Sequence, residues 1–298
     1  MLSLATFNLK DFFPQPPHEF APKVACVAEM LARVDADVVA LQEVGAPDTL
    51  EALLSRLDRR GGYGAPIVGT ADARGIRCAL LSRVPVLRSR VHTAESLPFP
   101  VFQMGDKPPF GARIPLRRGV VVAQIDGGAL GAIDVIVAHF KSRRWVPLRD
   151  GSGNTVQPVT ARDRADAELR SLVWRAAEAL CVRGLVDEAL AARPEANVAV
   201  MGDLNDGPDS TSVVVVRGSD LSSAADLVAP AQRFSMLHQG ERTQLDHILL
   251  SPALRAKLSS AHFFNEELRE HASVATGVTP AAAPTNDSDH APFVARFD

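Results

Sequence analysis

Several apolar runs in this 298-residue chain end in a residue that could bind a metal ion or transfer a proton. Each such residue is an acid, an amide or an imidazole. They are Asn8, Glu43, His139, Asp203, Asn205 and Asp246, with Asp289 and His290 directly before the last run. A carboxylate beside a buried run is costly unless it is paired or metal-bound, although a single one is usually a turn or cap. Because residues at the ends of neighbouring strands meet at one sheet edge, the whole set predicts a shared site.

The residue types indicate which chemistry this site could carry. Amide and carboxylate oxygens without cysteine ligands suit Mg²⁺, or Mn²⁺ or Ca²⁺ in its place, better than Zn²⁺. Mg²⁺ keeps several waters, which leaves room for a substrate phosphate. His139 and His290 are then available to hydrogen-bond a phosphoryl oxygen or to transfer a proton. The sequence contains no GxxxxGK[ST] loop and no GxSxG elbow, which disfavours nucleotide-driven transfer and serine hydrolysis.

The predicted elements that position these residues mix strands and helices. Helices are predicted at 22–34, 47–60 and 160–192, the last with an apolar stripe of Leu169, Leu172, Val173, Ala176 and Leu180. Strands are predicted at 2–8, 37–44, 76–82, 86–92, 119–125, 132–140, 197–202, 244–251 and 292–297, and a long surface loop at 96–115. Consecutive strands imply antiparallel pairs, so we expect an α/β protein with a mixed sheet or two packed sheets.

Composition limits the partners and the compartment. The net charge of −3 and the pI of about 6.2 create no global attraction for a polyanion, so local cations or a metal must hold one. No apolar run approaches the roughly 20 residues of a membrane helix. The N-terminus has no signal-peptide pattern, so we expect a cytoplasmic protein without a membrane span. Cys26, Cys78 and Cys181 have no metal-ligand spacing, and we expect buried, reduced thiols.

Six short motifs together resemble those of the endonuclease/exonuclease/phosphatase superfamily. They are Thr6-Phe7-Asn8, Leu41-Gln42-Glu43-Val44, His139-Phe140-Lys141-Ser142, Gly202-Asp203-Leu204-Asn205, Leu245-Asp246-His247 and Ser288-Asp289-His290. They occur in the family's order between residues 8 and 290, so the resemblance covers nearly the whole chain. It implies a four-layer sandwich of two mixed β-sheets flanked by helices, as one domain over residues 1–298.

The resemblance also implies metal ligands and residues that handle water. Glu43 would be the principal metal carboxylate, with Asn8 and Asp289 as further ligands or ligand holders. Asp203 and Asn205 would orient and polarise the attacking water.

Other residues would act on the phosphate. His290, held by Asp246, would lie at the scissile phosphate, and His139 would contact it from the other side. Arg113 lies where relatives often have a phosphate-binding arginine. His247 follows Asp246 on the same strand and should face the other way, so we expect a structural role for it.

Local charge favours a nucleic acid as the substrate. Lys141, Arg143 and Arg144 follow His139 directly, with Trp145 beside them, and could contact substrate phosphates. The chain therefore predicts a metal-dependent phosphoesterase, with a nuclease acting on DNA or RNA as the leading interpretation. The alternative is a phosphatase or phosphodiesterase acting on a small phosphoester or a lipid headgroup. A binding module without chemistry is disfavoured, because none of the expected catalytic positions is substituted.

Overall fold

The computed structural model describes residues 1–14, 17–57, 62–95, 97, 115–146, 148–149, 155–238, 240–270 and 287–298. The strands are β1 (Leu2–Phe12), β2 (Val38–Val44), β3 (Ile67–Val68), β4 (Arg77–Ser82), β5 (Val86–His92), β6 (Val120–Asp126), β7 (Ala132–His139), β8 (Leu148–Arg149), β9 (Thr155–Val156), β10 (Asn197–Asp203), β11 (Ser222–Ser223), β12 (Met236–His238), β13 (Glu241–Thr243), β14 (Asp246–Leu250), β15 (Leu258–Phe263) and β16 (Phe293–Phe297). The helices are α1 (Pro17–Val34), α2 (Pro47–Leu57), α3 (Ala161–Ala192), α4 (Thr211–Arg217) and α5 (Pro252–Arg255).

Two six-stranded mixed sheets form the centre of the described chain. Sheet A has the order β15-β16-β1-β2-β4-β3, and sheet B has the order β11-β14-β10-β7-β6-β5. In sheet A, β1 pairs parallel with β2 and antiparallel with β16. In sheet B, β10 pairs parallel with β7 and antiparallel with β14. The strands β1 and β10 therefore lie well inside their sheets, where both edges are hydrogen-bonded.

Apolar side chains divide the molecule into layers. One core fills the space between the sheets, with residues such as Leu4, Val137 and Met201. A second core packs α1 and α2 on the outer face of sheet A, and a third packs α3 and α4 on the outer face of sheet B. The order helices, sheet A, sheet B, helices confirms the predicted four-layer sandwich of two mixed sheets.

Most predicted elements are present, with some differences at their ends. Strand β1 continues to Phe12 and α1 begins at Pro17, both beyond the predicted limits, while β15 was not predicted. Of the predicted loop 96–115, residues 96 and 98–114 lie outside the described residues. No described helix is long and apolar enough to span a membrane.

The predicted apolar stripe of α3 is wrong in its first half. Leu169 and Leu172 are 56% and 38% exposed, whereas Ser171, Arg175 and Glu178 are buried. The reason is that this half packs against the polar loop after β7 rather than against the sheet. For example, the hydroxyl of Ser171 donates to the Ser142 carbonyl oxygen at 2.8 Å. The helix begins with a capping box between Thr160 and Asp163.

Candidate active site

Strand register brings three of the predicted catalytic residues into one row. Asp203, the last residue of β10, pairs with His139 of β7 on one side and with Asp246 of β14 on the other. Residues in register on adjacent strands face the same way, so the three side chains are neighbours. Gly202 permits this close packing: its φ is 145°, and a Cβ there would lie 1.8 Å from the Ala138 carbonyl oxygen.

A single oxygen of Asp203 is the centre of the site. Its Oδ2 accepts a hydrogen bond from Asn8 Nδ2 at 2.9 Å. The Nε2 atoms of His139 and His290 lie 3.6 and 4.0 Å from the same oxygen. The other oxygen accepts from the backbone N–H of Asn205 at 2.8 Å. Two imidazoles and one amide therefore face one buried carboxylate oxygen.

The two imidazoles have opposite electrostatic environments. His290 Nδ1 lies 2.7 Å from Oδ2 of the fully buried Asp246. Burial lowers the pKa of His290, but the charge and hydrogen bond of Asp246 outweigh this and raise the pKa to about 10. Burial and the nearby Arg118 hold the pKa of His139 well below its usual value. His290 is therefore charged at neutral pH and His139 is neutral. Burial also raises the pKa of Asp203, although the charge of His290 opposes this.

A bulge in β1 forms the other side of the site. The pairing of β1 with β2 shifts between Asn8 and Phe12. Lys10 and Asp11 in the bulge have φ values of 47° and 46°, in the left-handed region, and the opposing Glu43 has a φ of 57°. The bulge directs the backbone N–H of Asp11 to Glu43 Oε2 at 2.8 Å and that of Lys10 to Asn8 Oδ1 at 2.9 Å.

The bulge also connects the predicted metal residues to the row. Asn8 Nδ2 lies 3.4 Å from Glu43 Oε1, so Asn8 joins Glu43 to Asp203. The ammonium of Lys10 lies 2.7 Å from Asp289 Oδ2. The structure thus brings Asn8, Glu43 and Asp289 to one bulge, the first two by direct contact and Asp289 through Lys10.

The donor atoms around the bulge suit a hard divalent ion. Glu43 and Asp289 supply carboxylate oxygens and Asn8 supplies an amide, with no sulfur among them. Within the described residues, no group of three or more His, Cys, Asp or Glu could hold one ion. Mg²⁺ commonly binds one or two carboxylates and completes its shell with water and substrate oxygens, so these residues fit it.

The residues predicted to bind substrate phosphates are in different situations. Arg113 lies outside the described residues. The side chain of Lys141 is buried, and its ammonium donates to the carbonyl oxygens of Ser142 and Arg144. Lys141 therefore holds the loop after β7 and does not face a substrate in this conformation, contrary to the prediction. Arg143 is 63% exposed, with Nε 3.4 Å from Asp206, and Arg144 is exposed.

A cluster of cations beside His139 was not predicted from the sequence. The nearly buried carboxylate of Asp72 lies 3.2 Å from Arg118 and 3.9 Å from both Arg74 and Arg117. We call these four residues the Asp72 cluster. Arg118 also donates to the carbonyl oxygen of His139 at 3.1 Å, so the cluster is attached to the catalytic strand. The only signal in the sequence was the pair Arg117-Arg118 directly before an apolar run.

Two smaller expectations have different outcomes. His247 contacts Gln244 and the Asp206 carbonyl oxygen rather than the row, as a structural residue would. Cys78 and Cys181 are buried, but Cys26 is exposed, contrary to prediction, because its side chain lines a solvent-open pocket rather than the core. Cys26 borders a pocket of about 290 Å³ that His290 also lines.

The site places two imidazoles around a buried carboxylate, with hard oxygen donors beside them. On a two-sheet sandwich, this arrangement is typical of a phosphoester hydrolase. Residues 5–290 match the model of the Endonuclease/Exonuclease/phosphatase family, and the chain belongs to this family. Its members are phosphoric ester hydrolases that generally depend on a divalent metal. A search of curated protein sequences finds no match.

Solved structures share the fold at low sequence identity. Truncated TDP2 from Caenorhabditis elegans is 17% identical with a TM-score of 0.60, over 99% of this chain and 96% of that one. A mannosyl-6-phosphatase from Bacteroides thetaiotaomicron is 16% identical with a TM-score of 0.63, over 100% of both chains. A 3′ phosphatase from Neisseria, bound to a product DNA hairpin, is 18% identical with a TM-score of 0.58, also over 100% of both. Identities this low support the fold and leave the substrate open.

Proposed function

We propose that this protein hydrolyses phosphodiester bonds in DNA or RNA by attack of a water molecule, with a divalent ion, Mg²⁺ or Mn²⁺, bound at Glu43. The observation that carries the proposal is the convergence of His139, His290 and Asn8 on Asp203 Oδ2. A buried carboxylate with a raised pKa can accept a proton from water, and two imidazoles at one point can hold a phosphoryl group between them.

Each residue of the site has a proposed role. Asp203 orients the attacking water and accepts its proton as the water oxygen bonds to phosphorus. The ester P–O bond then breaks, and the released oxygen takes a proton from solvent. The backbone N–H of Asn205 holds Asp203 in place. His290 donates a hydrogen bond to a phosphoryl oxygen, and Asp246 keeps this imidazole charged and oriented. The neutral His139 contacts the phosphate from the opposite side. Glu43, with Asn8 and Asp289 beside it, would hold the ion, which would supply positive charge to stabilise the negative charge that develops on the phosphate.

Exposed arginines beside His139 support a polyanionic substrate. Arg118, Arg74 and Arg117 all act to lower the pKa of His139, so their charges lie on its side of the site. Arg74 is 60% exposed and Arg143 63% exposed, so both can reach phosphates that flank the scissile one. Among the similar structures, the 3′ phosphatase is bound to DNA.

Metal dependence tests the chemistry. Phosphodiester and phosphomonoester substrates, including DNA, RNA, a sugar phosphate and sphingomyelin, are incubated with Mg²⁺ or Mn²⁺ and with EDTA. We expect EDTA to abolish hydrolysis. Glu43→Gln should raise the Mn²⁺ concentration needed for half-maximal activity by about 10–100-fold, because it removes one charged ligand. Glu51→Gln, an exposed change on α2, is the matched control. Full hydrolysis in excess chelator would refute the metal role.

Salt dependence tests the substrate. Neutralising a phosphate releases counterions, so log affinity should fall with log salt by about 0.7–0.9 per phosphate contacted. The double substitution Arg74→Ala with Arg143→Ala should flatten this slope by about one to two units and raise KM, with kcat on bis-p-nitrophenyl phosphate little changed. Arg88→Ala, on the edge strand β5 and 72% exposed, should leave the slope unchanged. A flat response in the unaltered enzyme would favour the small phosphoester or lipid headgroup instead.

A further inference from the structure

Buried side chains hold the backbone that follows His139 at the end of β7. Arg118 Nη1 donates to the carbonyl oxygens of His139 and Phe140, at 3.1 and 3.0 Å. The next backbone N–H, that of Lys141, donates to Glu178 Oε2 at 2.6 Å. Arg118 and Glu178 therefore fix neighbouring polar groups of the backbone, directly beside a residue that we propose contacts the phosphate.

The imidazole of His139 depends on this backbone more than the imidazole of His290 does. His290 is oriented through its ring, because Asp246 Oδ2 lies 2.7 Å from Nδ1. The Nδ1 atom of His139 is buried and has no hydrogen-bond partner among the described residues. The position of the His139 ring is therefore set by its backbone and by packing.

Packing alone does not explain a carboxylate at residue 178. Glu178 is 1% exposed, and within the described part of the chain its second oxygen, Oε1, has no hydrogen-bond partner. Burial raises the pKa of Glu178 to about 7, so the ionised form is unfavourable there. A carboxylate is nevertheless the strongest acceptor that a side chain could offer the Lys141 N–H.

Glu178 also belongs to a polar stripe on α3 that lies against the loop after β7. Ser171, Arg175 and Glu178 are spaced by four and three residues, so they share one face of the helix. Ser171 Oγ and Arg175 Nη1 both donate to the Ser142 carbonyl oxygen, at 2.8 and 3.3 Å. The contact made by Glu178 is the nearest of the three to His139 along the chain.

We infer that Glu178 is a positioning residue, which fixes the imidazole of His139 against the phosphate by holding the backbone N–H of Lys141. The inference rests on the proposed function, because it assigns His139 a contact with the phosphate. A displacement of about 1 Å at a reacting group can lower the rate about 10²-fold, so a single backbone hydrogen bond can matter this much.

A double-mutant cycle tests whether Glu178 acts through His139. Glu178→Leu removes the acceptor and should lower kcat about 10–100-fold with KM little changed. Glu178→Gln keeps an amide oxygen for the Lys141 N–H and should keep most of the kcat. In a His139→Ala background, Glu178→Leu should have less than about a twofold further effect. Equal losses of kcat in both backgrounds would overturn the inference.

The position of His139 can also be measured without activity. In protein labelled with ¹⁵N-histidine, long-range ¹H–¹⁵N spectra report each imidazole, and His139→Ala and His290→Ala assign the two signals. Glu178→Leu should shift the His139 signals and leave those of His290 in place. Glu178→Asp, which withdraws the acceptor by one methylene, should do the same if the leucine variant does not fold. Unmoved His139 signals would contradict the positioning role.

Val182→Ala is the matched control for stability, because Val182 is fully buried one turn after Glu178 on the same helix. It should lower Tm without changing kcat or the His139 signals. A loss of kcat like that of Glu178→Leu would show that general loosening of α3 is the cause, which would overturn the inference. If the unaltered protein hydrolysed no phosphoester with Mg²⁺ or Mn²⁺, the proposed function would fail, and the spectra would still decide whether Glu178 positions His139.

Discussion

Sheet A and sheet B both supply residues to the site, but they position them by different means. Sheet B uses regular register, which sets His139, Asp203 and Asp246 side by side at the ends of three adjacent strands. Sheet A uses a bulge, where Lys10 and Asp11 adopt left-handed backbone. Regular strands give fixed spacing between side chains, which proton transfer requires. A bulge turns backbone N–H groups sideways, which allows Asp11 to orient the carboxylate of Glu43.

The two means have different energetic costs. On the sheet B side of the molecule the cost is electrostatic, because carboxylates are buried there. Glu178, on α3 behind the loop that follows β7, is an example: one oxygen accepts from the backbone N–H of Lys141, and burial raises the pKa of Glu178 to about 7. In sheet A the cost is conformational, because non-glycine residues in left-handed backbone are strained. The comparison predicts that each cost can be removed separately.

The largest expected effect separates the chemical roles of the two regions. Asp203→Asn should lower kcat by about 10³-fold, as loss of a general base typically does, while Mn²⁺ affinity changes little. Glu43→Gln should behave in the opposite way, with weaker Mn²⁺ binding and substantial kcat recovery at saturating ion. The measurements are steady-state kinetics and Mn²⁺ titration of both variants. If both variants lost kcat equally at saturating Mn²⁺, the assignment of proton transfer to sheet B and of ion binding to the bulge of sheet A would be wrong.

An intermediate effect concerns the electrostatic cost on the sheet B side, at Glu178 of α3. Because the folded pKa of Glu178 is raised, folding binds a proton between pH 4.5 and about 7, and stability falls as the pH rises through this range. A shift of this size corresponds to about 3 kcal/mol at most. Glu178→Gln removes this pH dependence of stability. The Tm of the variant, relative to that of the unaltered protein, should therefore increase from pH 5 to pH 8. Glu168→Gln, exposed on the same helix, should show no such trend. A pH-independent difference would contradict the buried charge.

The smallest effect concerns the conformational cost in sheet A. Asp11→Gly and Asp11→Ala both remove the carboxylate, but only glycine relieves the left-handed backbone. We expect the glycine variant to be more stable than the alanine variant by about 0.5–1 kcal/mol, or roughly 2 °C in Tm. Thermal unfolding of the pair measures this. Equal stability would mean that the bulge is not strained at Asp11.

The site residues that sheet B supplies could be predicted from the sequence, because a polar residue after an apolar run marks the end of a strand. His139 and Asp203 were identified in this way, and Asp246 as the polar residue at the start of its apolar run. Consecutive strands without helices between them predicted a mixed sheet or two packed sheets. The family motifs then implied the four layers, which the structure confirms. The pairing of His290 with Asp246 came from the resemblance and not from spacing, since 44 residues separate them.

The rest depended on tertiary packing that no local pattern records. Lys141 looked like a solvent-facing cation, but the polar face of α3 encloses it. Arg74, Arg117 and Arg118 are collected by one buried carboxylate, Asp72, from separate segments of the chain. Such assemblies depend on three-dimensional proximity, so neither helical periodicity nor charge runs reveal them.

The exposed thiol of Cys26 makes the protein convenient to label. The other two cysteines are buried, so a maleimide dye should attach at this one position under native conditions. The dye would then lie at the pocket that His290 also lines. Its fluorescence could report substrate arrival in real time, in the unaltered sequence and without a radioactive or chromogenic substrate.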